Sequence, residues 1–296
     1  MNKLALLTVT LLSLATACQG SSPATSAAAA PSPRAAAPGA VPSLRLYALD
    51  CGRVEVPDMG ILFSESGKPS GRAGTVTVPC FVVRHPRGVL LWDTGLGDAI
   101  AQAPVKGPLG IGEYVDVTLQ GQLQTLGLRP EDVTYVGFSH LHADHAGNAN
   151  LFTTSSTWLL GRKELEWALG APTPLGVDPK VFSGYKTAKV RSLEGDFDVF
   201  GDGMVRILAT PGHTPGHQSL ALRLARAGTV VLSGDLCHTR ANWEHHWVPK
   251  LNSDRAQTLS SIDRIQSLVD QSHGRFVVQH AREDFTSLPK FPAFLE

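Results

Sequence analysis

The sequence predicts an α/β fold in which two sheets pack face to face with helices outside, and three observations lead there. Short runs rich in branched and aromatic residues recur through residues 43–296, bounded by turn residues. Both halves of that stretch follow such runs with a helix-like segment, so strands with a covering helix occur twice. The side chains best able to bind a metal ion fall just past the carboxyl ends of several runs. No short-period repeat is present, which argues against a solenoid.

The 296-residue chain begins with a segment outside that fold. Met1-Asn2-Lys3 is a short basic start, residues 4–17 are an apolar run, and Ala15-Thr16-Ala17-Cys18 has the small residues of a cleavage site. A run of this length rises only about 21 Å as a helix, against about 30 Å for a bilayer core, so residues 1–18 are expected to be an export signal rather than a permanent span. Cysteine directly after Ala-Thr-Ala resembles the lipobox of bacterial lipoproteins, although Ala15 stands where Leu is usual. The resemblance implies a lipidated Cys18 on the periplasmic face of a membrane, and Gln19 in place of Asp implies the outer membrane. The other reading is an ordinary secretory signal cut after Ala17, giving a soluble periplasmic or secreted protein. Residues 19–42 are almost wholly Ala, Pro, Ser and Gly and cannot bury enough apolar surface to offset their ordering entropy, so they read as a flexible tether. Residues 43–296 are long enough for one hydrolase-sized domain with a sizeable core.

Within that domain, runs at 44–49, 76–83 and 89–92 are expected strands. The intervening stretch 53–75 is dense in Gly and Pro and reads as a loop, yet it holds Met59, Ile61, Leu62 and Phe63, which either cap a substrate pocket or pack beneath the loop. Residues 119–126 are helix-like, 133–138 and 157–160 are strands, and 162–169 is a helix. In the second half, 204–209, 218–224 and 229–232 are strands. Ser253-Asp254 opens a helix to about residue 270, with Leu259, Ile262, Ile265 and Val269 on one face, and 275–279 is the final strand.

Charge and cysteine content narrow the partners. The chain has 26 basic and 26 acidic residues; loss of residues 1–18 removes only Lys3, leaving a net charge of −1. Neutrality without a basic run argues against nucleic acid and favours a small neutral or hydrophobic substrate. Of the cysteines left after Cys18, an oxidising compartment allows Cys51 and Cys80 to pair between early strands, and Cys237 reads as a small buried hydrophobe.

The chemistry is concentrated in Ser139-His140-Leu141-His142-Ala143-Asp144-His145-Ala146-Gly147-Asn148. Four metal-competent side chains, His140, His142, Asp144 and His145, lie within six positions, which a loop leaving a strand can converge but a single helix or strand face cannot. Imidazole and carboxylate form the donor set of a catalytic zinc-type site, and this density points to two ions and a metallohydrolase. His213, Asp235 and His280 follow the apolar runs ending at residues 209, 232 and 279, so distant segments can meet at one rim.

Together SHLHADHAGN, TPGHTPGHQSL, LSGD and the late histidine resemble the metallo-β-lactamase superfamily from about residue 44 to the end. The resemblance implies an αββα sandwich of two pseudo-symmetric halves. It makes His140, His142 and His213 ligands of one divalent ion and Asp144, His145 and His280 ligands of a second, with Asp235 bridging. Asp93 in Trp92-Asp93-Thr94-Gly95 would orient a ligand histidine from behind, whereas His217 is expected at the surface or behind the ligands rather than among them. Zinc is the default metal, and iron, cobalt and manganese also suit the donors. Two such ions lower the pKa of a water and polarise a carbonyl, and Asp144 would pass a proton to the departing oxygen.

Asp235 counts against a β-lactamase, whose relatives commonly lack the bridging aspartate. Arg240 is the only cation near it, which disfavours anionic phosphodiesters and glutathione thioesters. The wording of LLWDTGLG, SHLHADHAGN and TPGHTPGHQSL is most similar to the N-acyl-homoserine lactonases. This implies a neutral lactone with an acyl chain as substrate, and Met59, Leu62, Phe63, Trp243 and Trp247 as candidates for its groove. Trp243 and Trp247 read equally well as core residues of a lid helix. The lactonases usually carry a tyrosine three residues after the bridging aspartate; here that residue is His238, which either donates to the developing oxyanion as a catalytic group or only orients its neighbours. The alternatives are another hydrolase of the superfamily (β-lactamase, thioesterase or phosphodiesterase) and a metal-binding lipoprotein without turnover.

Overall fold

A computed structural model of the chain describes residues 43–296; the expected signal at 1–18, with Cys18, and the tether at 19–42 lie outside the described residues. Thirteen strands and seven α-helices are described. The strands are β1 (Arg45–Val56), β2 (Gly74–His85), β3 (Gly88–Trp92), β4 (Val105–Lys106), β5 (Gly112–Tyr114), β6 (Tyr135–Gly137), β7 (Thr157–Gly161), β8 (Lys189–Leu193), β9 (Phe197–Asp198), β10 (Val205–Ala209), β11 (Gln218–Leu224), β12 (Gly228–Leu232) and β13 (Arg275–Val277). The helices are α1 (Met59–Phe63), α2 (Leu119–Thr125), α3 (Ala143–Ala146), α4 (Glu164–Ala168), α5 (Arg240–His245), α6 (Arg255–Ser272) and α7 (Arg282–Thr286). No helix among the described residues is long and apolar enough to cross a membrane.

Eight strands form one sheet in the order β4-β5-β1-β2-β3-β6-β7-β8, and five form the other in the order β13-β12-β11-β10-β9. The two-residue periodicity of a strand sends successive side chains to opposite faces, and the packing follows it. Phe81, Val83, Leu90 and Trp92 of the first sheet meet Ile207, Leu220, Leu222 and Leu232 of the second in the central core. The residues between them, Val82 and Leu91, face outward beneath Leu119 and Leu123 of α2. Val231 likewise faces outward beneath Ile262 and Ile265 of α6. The result is the expected four-layer αββα sandwich, with halves of unequal strand number.

Several boundaries differ from the sequence reading, for physical reasons. Part of the presumed loop at 53–75 is strand and helix: β1 runs on to Val56 and α1 starts at Met59, capped by the Asp58 carboxylate, which accepts from Gly60 N at 2.8 Å. The final strand stops at Val277 because side chains take over its ladder: Val278 N donates to Asp284 Oδ2 and Gln279 N to Ser233 Oγ. Cys51 and Cys80 are disulfide-bonded across β1 and β2. Gly95 packs directly on that bridge with φ +71°, and a Cβ there would lie 2.4 Å from Cys51 Cβ, so no other residue fits. Cys237 is buried among Val231, Trp243 and Ile262, as a small hydrophobe would be.

Candidate metal centre

Every donor lies past the carboxyl end of a strand, on the loop leaving it or, for Asp144 and His145, on the short α3 that this loop opens. Asp93 follows β3, the segment from His140 to His145 follows β6, His213 follows β10, Asp235 follows β12 and His280 follows β13. His140, His142, His213 and Asp235 form one group and Asp144, His145 and His280 a second, with the donor atoms of each group within 4.8 Å of one another. Asp235 joins them: its Oδ2 lies 3.3 Å from His213 Nε2 and 3.6 Å from His140 Nε2, while its Oδ1 lies 3.1 Å from His145 Nε2 and 3.0 Å from His280 Nε2.

The hydrogen bonds behind the rings show what these atoms can hold. His280 Nδ1 donates to Thr77 O at 2.6 Å and His145 Nδ1 donates to Asp93 Oδ2 at 3.0 Å, which leaves both Nε2 atoms able to offer their lone pairs to a cation, a proton or a metal ion. Those lone pairs face each other at 3.2 Å and face Asp235 Oδ1, a buried oxygen with no hydrogen-bond donor. In the first group His142 Nδ1 lies 2.8 Å from His140 Nε2 and 3.1 Å from His213 Nε2. Acceptors do not converge without a cation among them, and ligands about 2.0–2.1 Å from a tetrahedral ion stand roughly 3.3 Å apart. The residues fit two divalent ions.

The electrostatics agree. Burial lowers His140 and His213 well below the usual imidazole range and His142 to about 4, keeping lone pairs free. Burial also opposes charge on His145 and His280, but Asp235 and Asp144 outweigh it and raise both, so this second group draws in positive charge. For Asp235, burial is overcome by the surrounding imidazoles and the carboxyl is lowered.

The residues behind the donors are tied tightly. Asp93 takes up φ 58°, a costly conformation for a residue with a Cβ, held by Asp93 N donating to Gly137 O at 2.9 Å. Its carboxylate also accepts from Ser139 N at 2.7 Å and from Gln279 Nε2 at 3.1 Å, so it fixes the start of the ligand loop as well as His145. Two residues that sequence reasoning missed complete this frame. Glu164 of α4 accepts from Leu141 N, Thr214 Oγ1 and Gly216 N at 2.9, 2.6 and 3.1 Å, joining the His140–His142 loop to the loop of His213. Gln279 Oε1 accepts from Gly234 N and Trp92 Nε1 while its Nε2 serves Asp93.

His217 is not a surface residue. It is 1 % exposed; Nδ1 donates to Thr210 O at 2.9 Å and Nε2 accepts from Asp235 N at 2.8 Å. Gly234 makes room, since a Cβ there would lie 2.6 Å from His217 Nε2. His217 thus stands behind Asp235 and outside both donor groups.

His238 and Asp144 line a 170 Å³ cavity opening onto the donors, with Leu62, Phe63, Val54 and Ile111 among its walls and no lysine or arginine. His238 Nε2 lies 3.1 Å from Asp235 Oδ2, and its ring sits 5.1 Å from that of Phe63. Of the five proposed groove residues, Leu62 and Phe63 reach the cavity and Met59, Trp243 and Trp247 do not. Trp243 stacks on Phe276 at 3.9 Å in the core beneath α6, the lid-helix alternative, and Trp247 lies beside His245 with 43 % of its surface exposed. Arg240 is bound to Asp284 and Phe276 O, away from the cavity.

An αββα sandwich with paired His/Asp donor groups at one rim of its strands defines a metal-dependent hydrolase. Residues 73–280 match the metallo-beta-lactamase superfamily, and the chain belongs to it. It is 31 % identical over 265 residues to an N-acyl homoserine lactonase AttM of Rhizobium radiobacter, covering 85 % of this chain and 98 % of that protein. It is 29 % identical over 258 residues to the N-acyl homoserine lactonase AiiA of Bacillus thuringiensis subsp. kurstaki, with the same coverage. A solved structure of an N-acyl homoserine lactone hydrolase, with the product N-hexanoyl-L-homoserine at its catalytic metal centre, superposes with a TM-score of 0.74 at 28 % identity, covering 85 % of this chain and 99 % of that one.

Proposed function

We propose that this enzyme opens the lactone ring of N-acyl homoserine lactones, a quorum-quenching activity. The observation that carries the reading is a cavity of mostly apolar wall, without lysine or arginine, ending on two donor groups that meet at Asp235. Such a wall favours a neutral acyl chain and offers no partner to a phosphodiester or glutathione carboxylates. The fold-wide likeness to N-acyl homoserine lactonases supports the same substrate class.

Two divalent ions, of which zinc is the proposed species and iron, cobalt or manganese the alternatives, would supply the acidity that ionises a water near neutral pH and the charge that polarises the carbonyl. His140, His142, His213 and Asp235 would hold one ion, and Asp144, His145, His280 and Asp235 the other. Water adds to the lactone carbonyl carbon, the bond from that carbon to the ring oxygen breaks, and the products are a carboxylate, a hydroxyl and one released proton. Asp144, whose side chain is 27 % exposed at the cavity wall with Oδ2 3.5 Å from both His145 Nε2 and His280 Nε2, relays a proton from the attacking water to the departing ring oxygen. His238 donates a hydrogen bond to the carbonyl oxygen as it gains charge. Leu62 and Phe63 close over the acyl chain.

A pH-stat panel on the metal-loaded enzyme tests the substrate: homoserine lactones, a γ-lactone, a cephalosporin and a glutathione thioester. Homoserine lactones should be hydrolysed fastest, and faster opening of the cephalosporin or thioester overturns the reading. Elemental analysis of protein purified without added metal tests zinc.

We also infer export and anchoring through a lipidated Cys18, on the sequence of residues 1–42 alone. Mass analysis of the membrane fraction should find the lipid on Cys18; a wholly soluble, unlipidated protein overturns it.

A further inference from the structure

The cavity wall carries one residue that breaks the pattern of its strand. In β1, Arg53 and Glu55 turn away from the cavity, and Arg53 lies over the Tyr114 ring at 4.7 Å and pairs with Asp116; Val54 and Val56 turn toward it. Antiparallel β5 places Glu113 directly opposite Val54. Cross-strand partners share a face, so Glu113 stands on the inward, apolar side, and it does line the cavity together with Val76 and Ile111. A carboxylate in that position usually has a partner, because burying an unpaired charge is costly. Glu113 has no hydrogen bond or ion pair with any described residue, and the charged neighbour on the wall that acts on it is the like-charged Asp144. Burial, and after it Asp144, hold its carboxyl above the usual range.

We propose that Glu113 is a specificity-determining residue that sets the charge of the acyl chain the cavity admits, turning away chains that carry an anionic group. The inference deepens the lactonase reading and rests on it for the substrate class. An aliphatic wall alone disfavours any charge by desolvation; Glu113, half-buried on that wall, adds repulsion toward anions in particular. Glu113 belongs to neither donor group, although the charge of Asp144 reaches it, so metal content is read alongside selectivity.

The test compares wild type with Glu113→Gln, which keeps the shape and an acceptor oxygen but not the charge. Substrates are homoserine lactones with acyl chains from butanoyl to octanoyl and the matching ω-carboxyacyl series. Glu113→Gln should raise the ratio of kcat/KM on ω-carboxyacyl substrates to kcat/KM on the neutral series by about tenfold or more, chiefly through KM for the anionic substrates, with metal content measured in both proteins. An unchanged anionic-to-neutral ratio overturns the proposal. Failure of wild type to open any neutral lactone instead overturns the lactonase reading. Calorimetric binding of N-hexanoyl-homoserine lactam and its ω-carboxy counterpart then reads the same ratio without turnover. If neither lactam binds either protein, or both bind with the same ratio in the two proteins, the selectivity role of Glu113 is overturned as well.

Discussion

The Nε2 atom of His217 accepts a 2.8 Å hydrogen bond from the backbone N–H of Asp235, while its Nδ1 donates to Thr210 O at 2.9 Å. Both ring nitrogens are therefore committed, the tautomer is fixed, and the loop carrying the shared carboxylate is pinned to the loop carrying His213. His217→Ala leaves a buried N–H without an acceptor, which costs on the order of 1–3 kcal/mol, and lets Asp235 drift. Loss of a hydrogen-bond partner behind a ligand typically costs 10–100-fold in metal affinity. Chelator titration should show a loss of roughly that size for His217→Ala, the reverse of what a surface position would give; wild-type affinity would show that the hydrogen bond does not position Asp235.

Asp235 supplies one oxygen to each donor group, so its loss should be felt by both. Asp235→Ala is expected to lower metal content and activity together, whereas His280→Ala should reduce occupancy mainly in the second group. Elemental analysis after dialysis distinguishes these outcomes. Retention of two ions by Asp235→Ala would remove the bridging assignment.

All seven donors were legible in the sequence because each belongs to a short motif past the end of an apolar run, and strand ends gather at one rim. Asp93 was legible for the same reason. The frame around them was not. Glu164 shares a five-residue helix with Glu166, and from sequence either glutamate reads as a solvated charge; the partners of Glu164 lie 23, 50 and 52 residues away. For His217 the sequence leaves the surface and a place behind the ligands both open, because only the tertiary approach of Asp235 buries it. Trp243 and Trp247 read equally as cavity walls or as core because spacing along a chain does not say that α5 turns Trp243 onto Phe276 or that the helix ends before Trp247. The sandwich itself was readable from strand periodicity, but the ends of β1 and β13 depend on caps and side-chain hydrogen bonds that no local pattern announces.

Glu164 gives the fold a pH dependence whose sign is fixed. Burial pushes its carboxyl up to about 7 from the model-compound value of 4.5, against its three hydrogen-bond donors. A group raised in the folded state contributes stability that is complete below its unfolded pKa and is lost as pH rises through its folded pKa. A shift of this size is worth about 3 kcal/mol. Urea denaturation of metal-depleted wild type and Glu164→Gln should therefore show the stability of wild type, relative to the variant, falling by roughly that amount between about pH 4.5 and about pH 8. A constant difference across the range would show that Glu164 holds the same proton in both states.

His238 stands at the cavity wall beside Asp235 yet outside both donor groups, so its removal should separate catalysis from metal binding. If it donates to the lactone carbonyl oxygen as charge builds there, the loss appears mainly in kcat and is of order 2–4 kcal/mol, the size of a lost oxyanion donor. His238→Ala should then lower kcat on homoserine lactones by roughly ten- to a thousandfold with metal content unchanged. His238→Tyr restores a neutral donor with longer reach and should recover part of the rate. The neighbouring Phe63 ring, 5.1 Å away, provides the control: Phe63→Leu alters packing against the imidazole but removes no donor, so it should move KM for long acyl chains more than kcat. Equal rates for wild type and His238→Ala on every lactone would assign His238 to orienting Asp235 and leave the carbonyl oxygen to be stabilised by the metal centre alone.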